Sequence, residues 1–372
     1  MDRTQRIYLD ASATTPVYPE VVNAMLPYFY EEYGNPSSLY EQGRKAREAV
    51  ENARTVIANS IHAEPEEIIF TSGASESNRI IADYSNWLIT STMEHTSLLS
   101  YADQTIGVDD YGIVNEISIC VPSVSLSKKI LSIMHVNNEI GTVQDLTQLA
   151  EKAHSIGCLF HTDATQSWGK IPINVAESKI DFLSATGHKI GAPKGVGFLY
   201  WSEDASHEYD SHGSQEFGLR AGTENVPYIV GLAKAIEITQ QRQAFYHNQI
   251  KQTRNEIFEL LKYKVPDIAI NGYDIYSGED NRIYNNLNIR IPGIKAEPLV
   301  MLMDEDGIAI SAGSACHAHD ARPSHVLKAI GLSDEEATSS IRITLNQPLY
   351  PVEISRVVNT LIKNINMLRS YA

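Results

Sequence analysis

Short apolar runs rich in β-branched and aromatic residues alternate along the first two-thirds of the chain with segments whose apolar residues recur at helical spacing. "EEIIFT" precedes "SESNRIIADY" and "KILSIMHV" precedes "DLTQLAEKAHSIG"; "CLFHTD", "IDFLSA" and "GVGFLYW" follow. Strands and helices alternating at these distances predict parallel βαβ units, and so an open α/β sheet covered by helices on both faces. Ligands in such sheets bind beyond the carboxyl ends of the strands. From about residue 226 the pattern turns helical for long enough to predict a connector between two bodies. "NNLNIRI", the helix-like "AEPLVMLMDEDG", "IAISAG", "SSIRITL" and the amphipathic "VEISRVVNTLIKNINML" then predict a second, α+β body.

The length of 372 residues suits two domains, and 43% hydrophobic residues suffice for sizeable cores. A net charge of −16 repels phosphate backbones and anionic membranes, so neither nucleic acid nor a membrane is expected as a direct partner. The first residues lack the order of a signal peptide and no run is apolar enough to span a bilayer, which predicts a cytoplasmic protein. Three cysteines without an export signal argue against a disulfide framework. Cys120 and Cys158 sit in apolar, strand-like runs and read as small buried hydrophobes.

Five places carry candidate chemistry. In "FTSGASESN" a strand, a turn at Gly73 and small hydroxylated residues open a helix, which makes either a phosphate site or an ordinary capped helix. Asp163 in "FHTDATQS" comes at a strand's ligand-binding end, as a helix cap or as partner of a cationic ring nitrogen. Lys189 in "SATGHKIGAPKG" is a solvated loop charge or an amine held for a Schiff base. A phosphate turn, an acid and a lysine at successive strand ends are together what a pyridine aldehyde phosphate requires. Cys316, in "ISAGSACHAHDARPSHVL", lies among small residues as an exposed thiol would. His317 and His319 beside it allow a lowered pKa or a metal site, although no second set of ligands with zinc spacing is present. Arg342 within "SSIRITL" is an edge residue or a fork for a carboxylate.

These motifs, with "YLDASATTP", "YGNPSSLYEQGRKAREAVENAR", "MEHTSL", "MHVNNEIGTVQD" and "GLRAGTEN", run in order over nearly the whole chain. In them the chain resembles the pyridoxal-phosphate-dependent cysteine desulfurases of iron-sulfur cluster and nitrogenase maturation, class V enzymes of the fold-type I aminotransferase-like group. The resemblance implies a large domain over residues 15–246 that binds the cofactor. It implies a small domain from residues 1–14 and 247–372 that carries the cysteine loop.

The resemblance further implies that Lys189 forms the Schiff base with pyridoxal 5'-phosphate and later moves the substrate's Cα proton. Asp163 would pair with the ring nitrogen, and His95 would stack on the ring and handle the substrate's thiol proton. Asn138 and Gln166 would contact the ring oxygen or the substrate. Ala74, Ser75, Thr186 and His188 would cradle the phosphate, with Thr223 reaching in from the other subunit of a homodimer. Arg342 would hold the carboxylate of L-cysteine, and Cys316 would take its sulfur as a persulfide, release L-alanine and pass the sulfur to an acceptor protein. The spacing from Cys316 to "PSHVL" is similar to that of the long-loop members. Alternatives within this frame are a selenocysteine lyase or another β-eliminating lyase, and a scaffold that binds cofactor without turnover. Two departures stand out: Phe217 in "HGSQEFG" occupies the position of an arginine, and "LNQ" replaces Leu-Gly-Arg after the Arg342 strand. The stretches from Asn78 to Ile89 and from His95 to Tyr111 are shorter than usual for the family.

Overall fold

A computed structural model describes residues 6–115, 128–205, 213–276, 281–312 and 323–371. Among them the largest sheet has seven strands, in the spatial order Ile68–Thr71, Gly197–Trp201, Phe182–Thr186, Leu159–Asp163, Lys129–Ser132, Trp87–Ser91 and Gln104–Ile106. The neighbours from Phe182–Thr186 through Gln104–Ile106 pair in parallel, as the alternation predicts. Gly197–Trp201 is the exception, antiparallel to both of its neighbours. Its connection over residues 187–196 is too short for a helical crossover, so the strand returns beside the one it left.

Helix formation follows the apolar spacing. In Glu41–Asn59 the buried Ala46, Ala49, Val50, Ala53 and Ile57 form one stripe that packs on the sheet's core. Ala74–Tyr84 opens after Gly73, whose φ of +146° lies outside the range that side chains favour, and its last residue, Tyr84, packs edge-on against Phe182 and Trp201.

A second core forms around a three-stranded antiparallel sheet, in the order Ser340–Thr344, Asn286–Arg290, Ala269–Ile270, with helices Ala296–Glu305 and Pro351–Tyr371 against it. The "IAISAG" run yields only the two-residue strand Ile308–Ala309, paired in parallel with Ile7–Tyr8. The predicted connector is one helix, Val226–Lys264, that belongs to both cores. Val226, Ile229, Leu232 and Ile236 pack into the first core, and Ile250, Ile257 and Leu261 into the second. Between them, Thr239 Oγ1 donates to the Ile190 carbonyl at 2.8 Å, and Gln243 Nε2 to the Lys170 carbonyl.

Candidate active site

The strand ends of the large sheet and the start of helix Ala74–Tyr84 enclose a cavity of about 510 Å³. Ala74, Ser75, His95, Asn138, Asp163, Gln166, Thr186, His188, Lys189 and Arg342 all line it. The residues singled out in the sequence therefore converge, with two exceptions. Thr223 is exposed and lies away from this wall, and Cys316 is outside the described residues, as are Cys120, His317 and His319.

Asp163 is the last residue of its strand and is buried. Its Oδ1 accepts from the Thr165 amide at 2.9 Å and its Oδ2 from Asn78 Nδ2 at 2.9 Å. The other Asn78 N–H reaches Ser97 Oγ at 2.9 Å, and Ser97 Oγ lies 2.8 Å from His95 Nδ1. The Ser97 amide also donates to His95 Nδ1, which makes Nδ1 an acceptor and leaves the ring proton on Nε2. One hydrogen-bonded chain thus links the carboxylate to the imidazole, and Asn78 is its centre. Sequence reading passed over Asn78; its place one turn into the helix that begins at Ala74 is the signal that marks it.

Lys189 closes the short 3-10 turn after strand Phe182–Thr186, and its Nζ donates to the carbonyls of Ser12 and Ala13. These two carbonyls were also unforeseen, because they arrive from a distant part of the chain. His188 Nδ1 lies 3.1 Å from Thr14 Oγ1, and burial together with the charges of Lys189, Lys194 and Lys170 pushes its pKa down to about 4. His188 is therefore neutral at pH 7. Glu94, wholly buried beneath the cavity, has its pKa pushed up to about 8 by burial against the hydrogen bonds of Ser91 and the Met134 amide.

At the start of helix Ala74–Tyr84, an added Cβ on Gly73 would sit 3.2 Å from Thr186 Oγ1, so only glycine leaves this corner open. Glu76 reaches back to the Ser72 amide and pairs with Arg220 at 3.1 Å. Burial tends to raise its pKa, but these contacts outweigh burial and hold it below the ordinary carboxylate range. Arg342 is buried, although its strand is an outer strand of the three-stranded sheet. Its guanidinium holds Asp10 Oδ1 at 2.7 Å and the Asn138 carbonyl at 3.0 Å, so the carboxylate on its fork in this structure is the protein's own. His325, at the start of the helix after "PS", also lines the cavity, with Nε2 3.0 Å from the Glu94 carbonyl.

The donor set fits a pyridine aldehyde phosphate. It offers an amine, a buried carboxylate, a helix N-terminus with an open glycine corner, and the Thr165 hydroxyl, which is buried with no partner among the described residues. Among the described residues no group of histidine, cysteine and acidic side chains is arranged for a metal ion.

The turn Glu216–Gly218 carries the Phe217 departure. Glu216 and Phe217 have φ of +44° and +56°, strained for side-chain-bearing residues. Buried Arg54 grips Glu216 with two bonds of 2.9 Å, and Glu216 Oε2 also accepts from the Phe70 amide at 2.7 Å. The Phe217 ring lies 5.1 Å from the Arg54 guanidinium and presents an aromatic face to that cation.

Residues 7–348 match the description of the class-V aminotransferases. The chain is 36% identical to the cysteine desulfurase IscS of Dictyoglomus turgidum over 98% of its own length and 96% of that protein. A NifS-like protein from Rickettsia africae, 30% identical, superposes with a TM-score of 0.86 over 97% of this chain and all of its own (100%). SspA, solved in complex with cysteine, is 33% identical and superposes at 0.75 over 92% of this chain and 100% of its own. On these grounds the chain belongs to the class-V aminotransferase family, in its cysteine desulfurase branch.

Proposed function

We propose that the protein is a cysteine desulfurase that binds pyridoxal 5'-phosphate on Lys189, converts L-cysteine to L-alanine, and carries the sulfur as a persulfide on Cys316 to an acceptor protein in the cytoplasm. The observation that carries this reading is the meeting of the Lys189 amine, the Asp163 carboxylate and the Ala74 helix N-terminus on one cavity. When bound, the cofactor supplies a sink for the electrons released at the substrate's Cα. The rest is the work of this chain's residues. Asp163, braced by Asn78 and the Thr165 amide, holds the ring nitrogen. The amides of Ala74 and Ser75, with Thr186 and neutral His188, hold the phosphate by dipole and hydrogen bond. Asn138 and Gln166 meet the ring oxygen or the substrate.

Lys189 Nζ takes the proton from Cα and returns it. His95, anchored through Nδ1, presents Nε2 as the end that exchanges a proton with the substrate thiol. Arg342 holds the substrate carboxylate in place of Asp10. The Cys316 thiolate attacks the substrate sulfur: an S–S bond forms, the Cβ–S bond breaks, and its electron pair stays with the carbon that becomes alanine's methyl group on protonation. On this reading residues 15–246 form the cofactor-binding body, and residues 1–14 with 247–372 carry Cys316. A homodimer then shares the two sites through Thr223, whose exposure leaves it available to a second copy. Among the described residues no helix is long and apolar enough to cross a membrane.

The test is alanine formation from L-cysteine with a reductant, wild type beside Cys316→Ala. Alanine from the wild type alone supports desulfuration through Cys316; alanine from neither overturns the proposal.

A further inference from the structure

Lys170 is 7% exposed, and among the described residues it makes no ion pair. Its Nζ donates to Gln166 Oε1 at 3.3 Å, an amide where a buried ammonium ordinarily has a carboxylate. Folding alone gives no reason for such a charge, since an aliphatic side chain of the same length would fill the space at lower cost. Its position gives one. A gap of about 40 Å³ behind the active site is lined by both Lys170 and Lys189, and the charges on its wall are those two and Arg242, with no carboxylate among its described lining.

A hydrogen-bonded path runs beside that gap. Gln166 takes the Lys170 proton donor on Oε1 and donates from Nε2 to the Ser12 carbonyl at 3.0 Å; the same carbonyl accepts from Lys189 Nζ. An ammonium can only donate, so Lys170 decides which end of the amide faces it, and thereby which end faces the site. On the cavity side the titratable groups that share the wall with Lys189 are Lys194, Glu76, Glu139, Asp163 and Arg342, the last paired with Asp10, beside His95, His325 and neutral His188. On the far side a larger cavity presents His135, His247, Asp145 and Arg282 to Lys170, and His135 is neutral, its pKa pushed down to about 4 by burial.

We infer that Lys170 is a positioning residue for Lys189: it fixes the Gln166 amide with its N–H end on the Ser12 carbonyl, and it sets a second positive charge behind the Lys189 amine that loosens that amine's proton. The neutral amine is the form that attacks an aldehyde and accepts the Cα proton, so the device favours the reactive state. The interaction is reciprocal, and Lys170's own pKa comes down to about 7 through burial and the Lys189 charge.

This rests on Lys189 as the cofactor lysine, which borohydride reduction of the loaded wild type tests separately: failure to fix pyridoxal phosphate on Lys189 overturns that assignment and this inference with it. The inference itself is tested on the apoprotein, by acetic anhydride labelling of Lys189 across pH, read by mass spectrometry. Lys170→Met is expected to label at Lys189 about tenfold more slowly than wild type at pH 6, where Lys170 carries its charge, one pKa unit's worth. Lys170→Arg, which keeps a permanent charge, is expected to label at least as fast as wild type. An unchanged Lys189 rate in folded Lys170→Met overturns the inference. So does a tenfold loss in Lys170→Arg, which also decides the matter if the methionine variant does not fold.

Discussion

Replacing Glu216 by glutamine keeps the shape of a side chain that is 1% exposed and removes its charge from Arg54, itself 4% exposed. Three donors, two from Arg54 and the Phe70 amide, converge on its carboxylate at 2.7 to 2.9 Å. An amide offers one oxygen and one NH₂, so one of those donors must face another donor. Removing one partner of a buried pair costs about 3–5 kcal/mol. Glu51, 3.1 Å from Arg54 Nε but 54% exposed, offsets less than about 1 kcal/mol of it. We expect the urea midpoint to report a loss of about 3–5 kcal/mol, and Arg54→Met combined with Glu216→Gln to recover much of it, with a coupling of at least about 2 kcal/mol. A loss under about 1 kcal/mol, or additive single and double variants, would refute the claim that this pair holds the strained Glu216–Phe217 turn in place.

Asn78→Ala should lower kcat/KM for desulfuration about 10- to 100-fold by unhooking Asp163 from His95, at about 1.5–3 kcal/mol for a hydrogen bond to a charged group; steady-state alanine assays measure it. Gly73→Ala should weaken cofactor binding by more than about tenfold, from strain of about 1–3 kcal/mol at φ +146° and the crowding of Thr186 Oγ1, seen in an absorbance titration of the apoprotein. Glu94 has a folded-state pKa raised to about 8, so its contribution to stability is present below about pH 4.5 and fades as pH rises through 8. Glu94→Gln should flatten the stability profile in that window by up to about 5 kcal/mol, and an unchanged slope in denaturation across pH would contradict it.

The convergence of Asp163 and Lys189 on one cavity was legible because both sit where strand periodicity stops. Asp163 ends an apolar run and Lys189 follows the next, so one-dimensional pattern places both at the same edge of a sheet. Ser12, His325 and Lys170 were not legible as site residues. Ser12 meets Gln166 across 154 positions of sequence, and no local spacing encodes such a meeting. Lys170 carries no mark in the sequence, and only its burial sets it apart. The antiparallel turn of Gly197–Trp201 was hidden for a related reason: its apolar run looks the same in either direction, and only the length of the preceding connection betrays it.

The helix Val226–Lys264 works as a beam about 58 Å long, clamped at each end in a different core. Its free span is pinned at Thr239 to the backbone beside Lys189, and at Gln243 to the backbone of Lys170. Any flexing of one core against the other bends this beam at those two points. Lys189 and its buried companion Lys170 therefore feel the posture of the whole molecule through two hydrogen bonds.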